Sequence, residues 1–502
     1  MRGGKRGGGL WLYSVTLTLV ATLLVLAVSL RPPQGWIASV QEQWAQWFPE
    51  PRTLPLVPRA APTPTEPVYE ISAAYQESGL IKGQATVTIR ELDLDNIPFY
   101  LYRAAGGKIT VQDVKVNGKE VPVKQASGEF VLQVKKSTSP QHVTFSFETQ
   151  LPQKPTRAGV WQGVSTVSYW YPVLAVARDG KWVPRPEPLG FGDPYLMDVG
   201  TYRVTWNAPV GKKWYSSGRL VAQKTVEDRQ VTTWQAEKVR QFALVGGPFT
   251  ERTFETRSGT TVHVAALRQA GVEKTLPLAQ SAVSTYTQTF GMDLHPVLNV
   301  LELPQGTVYA HELPNMALFS QDLWGYDDPE HWIAHEIGHV WFYSSVGNYE
   351  TETPWLDEGL ADYASLLEQE RRLGKAAYEQ TIAEAWTRFR QGYTYSPYPF
   401  GTPSGVKDGK TAVPYGTYAT SQAHYYYNYL RPILMYDDLR RQMGDKLFFA
   451  FLKQYYVKNR GATATRASLE QALTDVQPDA VARLKLWLDT PNDRLLAQVG
   501  NK

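Results

Sequence analysis

The stretch His335-Glu336-Ile337-Gly338-His339, followed after eighteen residues by Glu358 in Trp355-Leu356-Asp357-Glu358-Gly359-Leu360-Ala361, constrains this chain more than any other. Residues four apart on a helix share a face, one turn from each other, so His335 and His339 present their imidazoles side by side. Two neutral imidazoles and one carboxylate form a three-ligand zinc set with a fourth tetrahedral position open to water. The fold must therefore set the helix of Glu358 against the helix of the two histidines. Glu336, beside the first ligand, is placed to act on that water rather than bind the metal. The pattern predicts a zinc hydrolase with one Zn2+ per chain, held by His335, His339 and Glu358.

Composition narrows the alternatives. The chain has no cysteine, which excludes thiolate-bound zinc, disulfides and thiol catalysis, so a transition-metal site must be built from His and carboxylate. Four of the eight histidines, His311, His331, His335 and His339, fall in a single window. A net charge of +3 with no long basic run predicts no nucleic-acid partner. A length of 502 residues leaves room for two or three domains.

The N-terminus speaks to location. Residues 1–9 carry Arg2, Lys5 and Arg6, and residues 10–30 form an uncharged Leu- and Val-rich run long enough to cross a bilayer. The charge placement predicts a single-pass membrane anchor with its basic tail inside and everything downstream outside the cytoplasm. The alternative is a signal peptide cleaved near Ala27-Val28-Ser29, giving a secreted protein. Residues 31–67 read as a juxtamembrane segment, with helical apolar spacing over Trp36–Phe48, and then a Pro-rich spacer.

From 68 to 250 short alternating runs such as Ala85–Ile89, Phe130–Val134 and Val143–Phe147, with turn signals such as Asn117-Gly118, predict an antiparallel β-domain. The aromatic run Tyr169–Leu174 reads as its core. Residues 251–502 read as a second domain, α/β at its start and helical beyond. Its expected elements are a strand at Thr261–Leu267, a helix at Val272–Phe290 and a strand at Val297–Leu303. One ligand helix should start at Asp328-Pro329 and end near Gly347, the other run from Thr353-Pro354 to near Gly374. A loop over 393–418 and helices over 421–456 and 466–488 complete the reading.

HEIGHVW and WLDEGLADY, at this spacing, resemble the gluzincin clan and specifically the membrane alanyl aminopeptidase family of zinc peptidases. The likeness extends over about residues 68–490 and implies a saddle-like β-domain before a thermolysin-like catalytic domain. It implies an aminopeptidase acting on peptides with a free N-terminus. The family's GxMEN strand corresponds to Tyr309-Ala310-His311-Glu312-Leu313-Pro314-Asn315, where Glu312 matches and the Gly, Met and Asn do not. By that resemblance Glu312 binds the substrate's α-amino group. A family tyrosine that donates to the oxyanion matches Tyr429 in Tyr429-Leu430-Arg431-Pro432, with Tyr427 in reserve. Asp362, one helical turn after Glu358, can accept the outer N–H of a ligating histidine. His311, His331 and His424 are expected to be structural. A zinc endopeptidase and a non-catalytic binding relative remain as rivals. The family's large helical C-terminal domain is expected to be absent, and oligomeric state has no signature here.

Overall fold

A computed structural model describes residues 66–499 except 92, 103–106, 127, 188–191, 194, 292–294, 392–408 and 418–419. The expected basic tail, membrane span, juxtamembrane helix and most of the Pro-rich spacer lie outside the described residues, as does most of the expected 393–418 loop. Among the described residues no helix is long and apolar enough to cross a membrane.

The N-terminal part is β-rich because its sequence alternates. β1 (Val68–Tyr75) buries Tyr69, Ile71, Ala73 and Tyr75 on one face and turns the intervening residues outward. It belongs to an eight-stranded sheet with β2 (Leu80–Ile89), β3 (Lys108–Val116), β4 (Lys119–Glu120), β5 (Gln141–Gln150), β6 (Gly200–Pro209), β7 (Arg219–Val226) and β8 (Arg229–Val239). The order is β7-β8-β6-β1-β2-β5-β3-β4. Asn117 and Gly118 both take positive φ, 52° and 78°, and close the tight β3–β4 hairpin that their dipeptide signalled.

One pairing departs from the antiparallel expectation: β1 and β6 run parallel. Parallel neighbours need a crossover connection, and the chain between them supplies β2 to β5 and strands of three smaller sheets. Tyr169, Trp170 and Tyr171 are buried as expected, and Tyr69 stacks on Tyr202 at 4.7 Å between ring centroids.

The second sheet positions the site. β9 (Thr250–Glu255), β10 (Thr261–Ala266), β11 (Val297–Leu303), β12 (Ala310–Leu313) and β13 (Met316–Ser320) lie in the order β9-β10-β11-β13-β12. β10 pairs parallel to β11 across helix α1 (Gln269–Phe290), and β12 is an antiparallel edge strand on β13.

Helices follow: α2 (Pro329–Gly338), α3 (Pro354–Leu373), α4 (Lys375–Gln391), α5 (Ser421–Tyr425), α6 (Arg431–Met443), α7 (Asp445–Asn459), α8 (Arg466–Val476), α9 (Val481–Asp489) and α10 (Asn492–Val499). Two expected long helices are broken. Gly444, at φ 74°, separates α6 from α7, and Pro478 stands between α8 and α9. Arg240 ties the β-rich part to the helical part, donating from Nη2 to the Ala462 carbonyl at 3.3 Å.

Candidate active site

Local sequence sets both ligand helices. Asp328 caps α2 in the left-handed region, φ 56°, with its carboxylate accepting the His331 N–H, and Pro329 occupies the first helical position. Pro354 likewise begins α3 after Thr353, although the Thr353 side chain makes no cap hydrogen bond. Small residues let the helices meet. A Cβ on Gly338 would stand 3.2 Å from the Ala361 Cα, and one on Gly359 only 2.3 Å from the Pro432 Cβ. The backbone of α2 therefore lies close to that of α3, and α3 lies close to the start of α6.

α2 ends at Gly338, not near Gly347, so His339 is its C-terminal cap rather than an interior residue. The reason is visible in the side chain. His339 Nδ1 lies 3.0 Å from the Phe342 carbonyl, which must turn back from a helical course to meet it. Beyond it the Ser344, Ser345 and Val346 amides each reach carbonyls five residues back, and Tyr343 takes a positive φ.

The three expected ligands converge. His335 Nε2 and His339 Nε2 are 3.0 Å apart, and Glu358 Oε2 lies 3.3 and 3.2 Å from them. Donor atoms on a tetrahedral ion with bonds of about 2.0 Å stand about 3.3 Å apart, so this triangle fits zinc. Donating Nδ1–H to Phe342 leaves the His339 Nε2 lone pair for a metal. Burial alone would push the Glu358 carboxyl up, but the His335 and His339 imidazoles hold it well below the usual range.

Asp362 sits where the outer partner of a ligand should sit, with Oδ1 3.4 Å from His335 Nδ1. Sequence reasoning missed what stands behind it. His331 Nε2 lies 2.8 Å from the same Asp362 oxygen, and its Nδ1 lies 2.9 Å from Ser365 Oγ. His331 shares the α2 face of His335, and that four-residue spacing was the available signal. Replacing His331 with Leu is expected to weaken zinc binding by about tenfold, measured by competition with a chelator, because Asp362 loses its anchor.

Glu336 is buried, and its Oε2 has no hydrogen-bond partner among the described residues. Burial pushes its carboxyl up to about 8 against the pull of His335 and His339. Tyr429 lies in a π-helical turn, Tyr426–Leu430, in which the Arg431 N–H reaches the Tyr426 carbonyl. Its ring stacks on His335 at 5.6 Å and 21°, and on Tyr425 at 4.2 Å and 9°. Tyr427 points elsewhere: it is fully buried, and its hydroxyl accepts the Gly409 N–H at 2.8 Å. The geometry thus brings Tyr429 to the ligands and leaves Tyr427 in the packing.

Glu312, on edge strand β12, offers a carboxylate oxygen that lies with Glu336 and His339 in a group of atoms all within 4.8 Å of one another. A second such group joins Glu312 to Asp193 and Glu350, neither of which the sequence marked. His311 and His424 are buried. Burial pushes the His424 imidazole down to about 4, and its Nδ1 lies 3.0 Å from Asn428 Nδ2.

Residues 322–487 match the peptidase family M1 domain. The M1 zinc metallopeptidase of Deinococcus radiodurans shares 18% identity and a TM-score of 0.62, over 84% of this chain and 92% of that one. A mutant of that enzyme bound to a Tyr-Ser-Ala substrate matches with the same TM-score of 0.62 and 18% identity, over 84% and 93%. A two-domain M1 zinc metallopeptidase mutant bound to L-arginine gives 0.61 at 18% identity, over 85% and 94%. At this identity the likeness to the solved structures is one of fold. No curated protein matches the sequence.

Proposed function

Since the chain is a zinc metallopeptidase of family M1, we propose that it is an aminopeptidase, removing residues from the free N-terminus of peptides. The observation that carries this reading is Glu312, whose carboxylate on an edge strand reaches the neighbourhood of Glu336 and His339. A buried carboxylate there pairs with an ammonium and penalises a mid-chain peptide, which brings no charge to offset it. His335, His339 and Glu358 would hold the zinc, which would polarise the scissile carbonyl and lower the pKa of the attacking water.

This chain's residues do the rest. Glu336 takes the water's proton and passes it to the leaving amine. Tyr429 donates its O–H to the oxyanion, which suits a phenol that carries no charge in the ground state. Asp362, with Oδ1 3.4 Å from His335 Nδ1, steadies that imidazole by its charge. The run at residues 10–30 supports action outside the cytoplasm, on a membrane anchor or after signal cleavage.

Leucine amide and N-acetyl-leucine amide decide between exo- and endopeptidase. The acetylated amide is expected to turn over at least about a hundredfold more slowly, and Glu312→Gln is expected to erase most of that preference. Equal turnover of the two by the wild type would instead mark an endopeptidase.

A further inference from the structure

We infer that Asn492 is a positioning residue for Tyr429: its side-chain amide bridges the two flanks of the π-helical turn and so sets where the Tyr429 hydroxyl stands. The inference rests on the reading of Tyr429 as the oxyanion donor and adds to it a residue from α10.

The turn Tyr426–Leu430 presents two sides. Tyr425 and Tyr429 stack on each other, and Tyr429 on His335, so one side faces the ligands. Tyr426 and Tyr427 are fully buried on the other. The Tyr426 ring stacks on Phe389 of α4 at 5.9 Å and 21°, and its hydroxyl donates to the Phe389 carbonyl at 3.1 Å. A Cβ on Gly409 would stand 2.2 Å from Tyr427 Cζ, so that stretch of backbone lies directly on the Tyr427 ring.

Asn492, the first residue of α10 and 2% exposed, joins both tyrosines to Arg431. Its Nδ2 donates to the Tyr426 hydroxyl at 2.9 Å and to the Tyr427 hydroxyl at 3.3 Å. Its Oδ1 accepts from Arg431 Nη1 at 2.9 Å. Tyr426 and Tyr427 precede Tyr429 and Arg431 follows it, so one side chain is fastened to the chain on either side of Tyr429. Arg431 is itself held fast. It is fully buried, donates from Nη1 to the Gly409 carbonyl at 2.9 Å and from Nη2 to the Trp487 and Thr490 carbonyls, and lies over the Tyr427 ring.

The chemistry of an amide fits the place. The Tyr426 O–H is already given to Phe389, so its oxygen has lone pairs to offer and takes a donor. Arg431 has donors only and takes an acceptor. Asparagine supplies both, whereas aspartate supplies only the acceptor. A single π turn between α-helices is a rare geometry, and contacts outside the helix are what hold it.

The test is a double-mutant cycle on the zinc-loaded enzyme with leucine amide, combining Asn492→Asp with Tyr429→Phe. Aspartate keeps the shape and the Arg431 partner and loses the two donations to the tyrosines. Tyr429→Phe is expected to lower kcat by about 10²–10³-fold. Asn492→Asp should lower kcat by about tenfold, with KM and zinc content unchanged. In the Tyr429→Phe background the same substitution should cost less than about twofold, because the hydroxyl it positions is gone. Wild-type kcat in Asn492→Asp, a loss carried by KM, or an equal loss in both backgrounds overturns the inference and leaves the role of Tyr429 standing. Full activity of Tyr429→Phe fails the oxyanion reading instead, and this inference with it. If Asn492→Asp does not fold, Tyr426→Phe takes its place in the cycle, since it removes one hydroxyl that Asn492 meets and keeps the ring on Phe389. A kcat loss of a few-fold that vanishes in the Tyr429→Phe background is then expected, and an equal loss in both backgrounds overturns the proposal.

Discussion

Glu336→Gln is expected to fold, to bind zinc as the wild type does, and to lose about 10²–10⁴-fold in kcat. The substitution keeps the size of the side chain and removes only its ability to take and return a proton. The zinc ligands His335, His339 and Glu358 are untouched, and their mutual distances of 3.0, 3.3 and 3.2 Å do not involve Glu336. Glu336 Oε2 is buried without a hydrogen-bond partner among the described residues, so the amide breaks no existing bond there. KM should stay near the wild-type value, since binding rests on the carboxylates around Glu312. Metal content by elemental analysis and steady-state kinetics on leucine amide check the two halves separately. Full activity in this variant would remove Glu336 from the mechanism. Lost zinc would give it a structural role instead.

Gly359→Ala should lower kcat by about ten- to hundredfold without touching any reacting group. Its Cβ would stand 2.3 Å from Pro432 Cβ and 3.0 Å from Pro432 Cγ, whereas carbon atoms in contact sit at about 3.5–4.0 Å. The obstacle is a proline ring at the start of α6, which has no rotamer to swing away. α3 and α6 must therefore part by about 1 Å or more. Alanine gains about 1 kcal/mol over glycine as a helix former, but overpacking costs about 1–3 kcal/mol. The net loss of stability is modest and the displacement is what matters. Pro432 follows Tyr429 by three residues and Gly359 follows Glu358 directly, so the shift moves the Tyr429 ring relative to the zinc ligands. Gly325→Ala is the control, because a Cβ there meets nothing within 4 Å. A Gly359→Ala enzyme with wild-type kcat and melting temperature would show that the two helices tolerate the methyl group.

The zinc site was legible because its logic is local. His335 and His339 need only one helical turn between them, and Pro354 announces the helix of Glu358. Two strands of the second sheet, β10 and β11, and α1 between them followed from changes in apolar spacing. Alternation tells which residues of a strand are buried but not which way its neighbour runs, so the parallel β1–β6 pair left no trace in the sequence. The end of α2 was unreadable for a related reason, since a contact between the His339 side chain and the Phe342 carbonyl decides it. His331 meets Asp362 across two helices, thirty-one residues apart. Asp193 and Glu350 sit outside helices and strands, where no period marks a residue as inward-facing. The choice between Tyr427 and Tyr429, open on sequence context, depended on which ring the helix turned toward His335.

That last choice has a wider consequence. In an ordinary α-helix each residue advances by about 100°, so one additional residue in a turn rotates everything before it against everything after it. The turn at Tyr426–Leu430 is such an insertion. Downstream, Arg431 pins α6 through the Gly409 and Thr490 carbonyls, so the angular offset falls on the aromatic run upstream. A one-residue deletion in this turn would rotate that run about a quarter turn past the site and slide Asn428 into the place of Tyr429. Chemical redundancy among Tyr425, Tyr426, Tyr427 and Tyr429 would not rescue it. What this helix encodes for catalysis is a phase, and composition alone does not carry it.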